Sequence, residues 1–172
     1  MNAARVGSRL DRLPTGGLAA DFVDAMSELA TGVVLVTCLV DGRRWGTTVT
    51  AFQSVSVEPP IVLVSLESRS TSAGIVARCG RFEVGVLAAE HRGLARYASR
   101  RGASKYLPSD ALAGALAHLD CEVIDEVEVA DHTVFFAHVR AARAPRGGAP
   151  LVRHRRTYRT LREQEDDRHA SQ

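Results

Sequence analysis

Apolar residues at Leu18, Phe22, Met26 and Leu29 recur at intervals of three and four, which predicts one amphipathic helix with Gly32 as its left-handed cap. From Val33 to Val40 the run VVLVTCLV is β-branched, Asp41-Gly42 has the chemistry of a two-residue hairpin turn, and RRWGTTVTAF returns as the partner strand. Pro59-Pro60 breaks the pairing. The unbroken apolar run Ile61 to Leu66 then predicts a buried strand, and TSAGIVARC a short helix with Gly80 behind it. In RFEVGVL, Phe82, Val84 and Val86 share one strand face, and AEHRGLARYASR predicts a second short helix.

After a turn-rich stretch from Arg101 to Ala115, Leu119, Cys121, Val123, Val127 and Val129 occupy odd positions of a strand, with Asp120, Glu122, Glu126 and Glu128 opposite them on a wet face. Thr133 to Val139 is apolar on both faces and reads as a central strand. Many short strands, tight turns and few short helices predict a mainly β protein, a closed or nearly closed antiparallel barrel. The aperiodic residues 1–17 read as a mobile arm, 18–161 as the domain, and 162–172 as a polar, frayed tail; near the end of the domain only Tyr158 and Leu161 look anchored.

Composition narrows the function. Twenty-two basic against 20 acidic residues leave a net charge of +2, and aromatics make up only 5%, which argues against a nucleic-acid binder despite the arginines around His154. Cys38, Cys79 and Cys121 stand far apart in an odd number, without metal or disulfide spacing, so a reducing cytoplasm and no metal site are expected. No apolar run has membrane-helix length, and no nucleophile elbow, dinucleotide fingerprint or phosphate-binding Walker loop occurs.

Two hydroxyl clusters remain. In SLESRSTS, Ser70 or Thr71 can cap the following helix; the same free N–H groups, with Arg69 nearby, equally suit a phosphate. Thr48, Thr50 and Ser54 can reflect strand propensity, or can face the polar edge of a flat ring that small Ala51 lets approach. His132, beside Asp131, is either a hairpin-turn residue or a substrate contact. His154 and Arg155 ahead of Tyr158 form either a solvated charged face or part of a site.

The segments FVDAMSELATGVVLVT, GTTVTAFQSVSVEPPIVLVSLESRST, RFEVGVL, GALAHLDCEV, DHTVFFAHV and HRRTY, in this order from about Asp21 to Leu161, resemble the short-chain flavin reductases, the NAD(P)H:flavin oxidoreductase partners of two-component monooxygenases. The resemblance implies an FMN-binding split barrel of Greek-key type, a homodimer with the flavin near the subunit interface, and a monooxygenase that receives reduced flavin. It places Thr48, Val49, Thr50 and Ala51 along the ring and ribityl chain, Ser65 and Leu66 at the ring edge, and Ser70 and Thr71 on the phosphate. His132 would position the nicotinamide, with His154, Arg155 and Tyr158 on the NAD(P)H side. Hydride would pass from NADH or NADPH to FMN or FAD held as a diffusible substrate. The alternatives are a flavin held tightly while another acceptor is reduced, and a flavin carrier without turnover. Ala130 stands where relatives carry glycine, Gly85 where they often carry asparagine and Ala51 where they often carry serine, and the 101–116 stretch is short; these departures bear on flavin affinity and on partner docking.

Overall fold

The computed structural model describes residues 4–5, 17–145 and 147–161. Its first elements are β1 (Ala4–Arg5), α1 (Ala19–Ser27), β2 (Thr31–Gly32), β3 (Val34–Val40) and β4 (Arg43–Val49). Asp41 and Gly42 both take positive φ, 50° and 74°, the mirror-image turn whose twist matches the strands it joins. Then come β5 (Phe52–Ser56), β6 (Ile61–Glu67), α2 (Thr71–Cys79), β7 (Arg81–Val86), a 3-10 turn at Ala89–His91 and α3 (Arg92–Ala98). The remaining strands are β8 (Tyr106–Leu107), β9 (Ala117–Val129), β10 (His132–Arg143), β11 (Leu151–His154) and β12 (Thr157–Thr160).

The large sheet runs β5-β6-β10-β9-β7-β3-β4-β8, antiparallel throughout this path. β4 continues through Thr50 and Ala51 into β5, which pairs with β6, so one bent chain joins the β5 edge to the strand next to the other edge and the sheet curls into an antiparallel split barrel. At that corner the Ser65 N–H donates to the Ala51 carbonyl, 3.0 Å. A second, three-stranded sheet has the order β12-β11-β2.

Val34, Val36, Val64, Phe82, Val84 and Phe135 fill the barrel. A second buried cluster joins Val33, Leu35, Leu87 and Leu151 to Ala95 and Ala98 of α3 and to Leu107 and Leu112. β3 thus lies between two cores, which accounts for its apolar residues at successive positions.

Several elements differ from the sequence expectation. α1 ends at Glu28, Gly32 lies in β2 rather than capping a helix, and the helix buries none of its residues. Leu18, Phe22 and Met26 remain 70%, 64% and 46% exposed, because the apolar stripe has no covering partner among the described residues. β6 is not buried on both faces: Val62, Val64 and Leu66 point inward and the residues between them are half-buried.

In β9 a bulge breaks the alternation. Ala137 pairs with Val123 but Phe136 with Asp125, so Ile124 is extra and the faces exchange beyond it. Glu126 and Glu128 then lie opposite Phe135 and Thr133, on the core side, where the regular alternation had placed valines. Leu161 is exposed and Tyr158 half-buried. Ala4–Arg5, within the expected arm, pairs in parallel with Val127–Glu128; the rest of residues 1–16, and the tail from 162, lie outside the described residues.

Candidate functional site

A cavity of about 820 Å³ opens where β4 leaves the barrel. Its floor is β4 and the corner, Trp45 and Thr47 to Ala51; one wall is Ser65 to Glu67 and Arg69 to Ser72; the other is the loop from Ser99 to Lys105, with His132 also on the lining. Strand pairing explains the convergence: β6 continues directly into α2, and its partner β10 begins at His132, which pairs with Glu67.

Ser70 caps α2, its hydroxyl accepting from the Ala73 N–H at 3.1 Å, and Gly80 closes the other end in the left-handed conformation, φ 63°. The cap uses the oxygen of Ser70 and leaves its proton available to a ligand. Thr71 and Ser72 occupy the first turn, where backbone N–H groups have no intrahelical acceptor. Beneath them the Trp45 indole N–H donates to the Ser72 hydroxyl, 3.2 Å, in a buried bond.

The threonines of β4 divide their roles. Thr48 donates to the Ala95 carbonyl at 2.8 Å, fastening α3 to the strand, and keeps only lone pairs for a ligand. Thr47 accepts from the Lys105 ammonium at 3.2 Å. At the mouth, His132 Nδ1 lies 2.8 Å from the Asp131 carboxylate, which holds the ring by one nitrogen and leaves Nε2 for another partner. The same bond holds the Asp131 carboxyl below its usual range. Arg101 reaches Glu67 at 3.5 Å across the rim.

A second groove, about 480 Å³, shares Thr50 and Ala51 with the first cavity. Phe22, Val23, Met26 and Leu29 form its apolar side, and Arg153, His154 and Arg156 its basic side. Arg155 and Arg156 form the turn between β11 and β12 at φ 48° and 61°, which points both at α1. Arg155 binds both Glu28 carboxylate oxygens and Arg156 binds Asp24, while the Arg155 N–H donates to the Ser27 carbonyl at 2.7 Å. The hydrogen bond from Arg155 holds the Glu28 carboxyl below its usual range.

Of the residues singled out in the sequence, Thr48, Val49, Thr50, Ala51, Ser65, Leu66, Ser70, Thr71 and His132 line one cavity, and His154 lines the adjoining groove. Arg155 is engaged by Glu28, and Tyr158 packs against the second core cluster and lines neither space. Gly85 is also away from the cavity: a Cβ there would lie 2.4 Å from Leu112, so the short 101–116 stretch fills the room a larger residue would need. Trp45, Ser99 and Lys105 were not anticipated on the lining. Apolar periodicity does not mark a loop, and the one available signal was that Lys105 is the single lysine among 22 basic residues.

Residues 26–162 match the model of the flavin reductase like domain. The chain belongs to the flavin reductase like family. It is 32% identical, over 79% of its length and 77% of the relative's, to the reductase component of 4-nitrophenol 4-monooxygenase/4-nitrocatechol 2-monooxygenase from Rhodococcus opacus. With the FMN reductase (NADH) RutF 2 of Methylorubrum extorquens it shares 34% identity over 86% of this chain and 92% of that one. Among solved structures, the styrene monooxygenase flavin reductase of Pseudomonas putida S12 superposes with a TM-score of 0.75 at 30% identity, covering 84% of this chain and 99% of the other.

The donor set suits the family's cofactor. A helix N-terminus with the Ser70 and Thr71 hydroxyls suits a phosphate, Lys105 lines the same cavity, and a strand of threonines ending at small Ala51 runs toward the second groove, leaving room for a flat ring.

Proposed function

We propose that the protein is an NADH-dependent flavin reductase that supplies reduced FMN or FAD to a monooxygenase partner. The observation that carries the reading is the single slot running from the N-terminus of α2, along β4, to the apolar groove at Thr50 and Ala51. Its lining offers phosphate chemistry at the helix N-terminus and hydroxyls, small residues and backbone groups for a ring along β4, with a neighbouring space for the nicotinamide. A bound flavin would supply the redox chemistry, taking hydride at N5.

The protein's part is alignment. Ser70, Thr71 and the first turn of α2 hold the anionic tail; Thr48 and the backbone around Ala51 and Ser65 set the height of the ring; His154 borders the groove that the nicotinamide enters, and His132 stands at the mouth of the flavin cavity. Hydride delivery requires no base for proton abstraction, so the slot's task is binding and orientation. The exposed rim at Arg69, Arg101 and Ala103 favours a flavin that comes and goes over one sealed inside. The exposed face of α1, beside the groove, supports a homodimer in which a second copy covers it. Three free cysteines support a reducing cytoplasm, and among the described residues no helix is long and apolar enough to cross a membrane.

The test is anaerobic: protein, NADH and FMN are mixed and flavin absorbance is followed. Bleaching much faster than in the protein-free mixture is expected; equal rates would reduce the protein to a flavin carrier. Comparing steady-state NADH oxidation with and without added flavin separates a diffusible flavin from a fixed one.

A further inference from the structure

We infer that Lys105 is a second, cationic anchor for the flavin phosphate, acting with the N-terminus of α2 and selecting phosphorylated flavins over riboflavin. The inference rests on the flavin reductase reading above.

Twenty-one of the 22 basic residues are arginine, and the single lysine lies half-buried in the cavity wall. Arg69 and Arg101, on the same lining, are exposed to solvent. Burial lowers the Lys105 pKa, because its ammonium has lost part of its water. Among the described residues no carboxylate makes an ion pair with it. Its one recorded side-chain bond, to the Thr47 hydroxyl, uses one of its three donors. A compact, partly dehydrated cation with no counter-ion among the described residues, on the wall of a cavity that also holds free helix N–H groups, fits a phosphate ester.

Its position is fixed from several directions. The Lys105 carbonyl accepts from the Gly46 N–H at 3.0 Å, and the next residue, Tyr106, pairs with Trp45. The Tyr97 hydroxyl donates toward the carbonyls on either side, those of Ser104 and Tyr106, at 3.3 Å each. Trp45 meets Tyr106 edge to face at 5.2 Å and donates to Ser72 in the first turn of α2. Lys105 and the helix N-terminus are therefore tied to the same tryptophan, so their separation is set by the fold rather than by a flexible loop.

That tryptophan is the only one in the chain and lines the cavity, so quenching of its fluorescence reports binding without turnover. Dissociation constants for FMN and riboflavin would be measured on the wild type and on Lys105→Met, Lys105→Arg and Ser70→Ala. Loss of a charged hydrogen bond predicts that Lys105→Met weakens FMN by about tenfold or more while riboflavin changes by under about threefold, with Lys105→Arg intermediate. Acylation of Lys105 by acetic anhydride, read by peptide mass, is expected to slow at saturating FMN and much less at saturating riboflavin. Equal effects of Lys105→Met on both flavins, or an acylation rate that FMN leaves unchanged, would overturn the inference. If FMN binds and Ser70→Ala alone weakens it, only the role of Lys105 falls. If neither flavin quenches the wild type, the flavin reading falls with it.

Discussion

Arg155 donates through Nε to both carboxylate oxygens of Glu28, at 3.0 and 2.9 Å, and its neighbour Arg156 pairs with Asp24 one turn earlier on the same helix. Both arginines sit beside the groove proposed for the nicotinamide, and both already have carboxylate partners. A 2′-phosphate arriving there would find these two of the three neighbouring arginines, Arg153 being the third, already neutralised, which agrees with NADH as the donor. The double variant Asp24→Asn, Glu28→Gln frees both guanidinium groups. Its kcat/KM ratio for NADPH over NADH should rise by about fivefold or more, an ion-pair contribution of roughly 1 kcal/mol; an unchanged ratio would remove these arginines from donor selection.

The same pair makes the attachment of α1 depend on pH. Glu28 is held below its usual carboxyl range by Arg155, so its contribution is fully present above the unfolded-state pKa and is lost as pH falls through the lower folded value. α1 buries none of its own residues, and it should loosen in acid before the barrel does. Hydrogen exchange of the α1 amides should accelerate on acidification while β3 and β10 stay protected, and Glu28→Gln should show the fast exchange already at neutral pH.

Ser70 serves the helix and the ligand together. Ser70→Ala removes the cap on the Ala73 N–H and should cost about 1 kcal/mol of stability, visible as a lower melting temperature. FMN affinity should fall as well. Ser70→Asp separates the two effects, because it keeps a cap but places a negative charge at the phosphate: stability recovers and FMN binding does not.

Gly85 and Leu112 share one space. Gly85→Asn drives its side chain into Leu112 and should destabilise by about 1–3 kcal/mol, and Leu112→Ala in the same chain should recover part of that loss. A denaturant-melt double-mutant cycle checks the coupling. Additive effects would mean that the segment around Leu112 moves aside.

Ala130 has φ 52° in the turn before His132, a conformation that disfavours any side chain. Ala130→Gly should raise stability by about 0.5–1 kcal/mol in thermal or denaturant melts. A destabilised variant would show that the turn relaxes in solution.

Much of the fold was legible because it is local. The Asp41-Gly42 turn, the capped helix from Thr71 with Gly80 behind it, and the central strand from Thr133 each follow from a few neighbouring residues whose backbone preferences agree. The site was legible where its hydroxyls stand at strand and helix ends, and Thr48, Thr50, Ser70 and Thr71 do share one cavity. β9 was misread beyond Val123, since nothing in the sequence marks Ile124 as an extra residue; the bulge exists in the pairing with β10. The apolar stripe of α1 predicted the helix correctly but not its covering, because periodicity says which side is apolar and not what lies against it.

The order of the main strands and turns, the caps of α2 and the family resemblance were settled by the sequence, since each depends on short-range chemistry repeated along the chain. Tertiary structure alone brought Lys105 to Thr47 across 58 positions, Gly85 against Leu112, and Arg155 to Glu28 across 127. Those contacts depend on how a closed sheet returns distant segments to one another. Closure is a property of the whole register, which no window of the sequence contains.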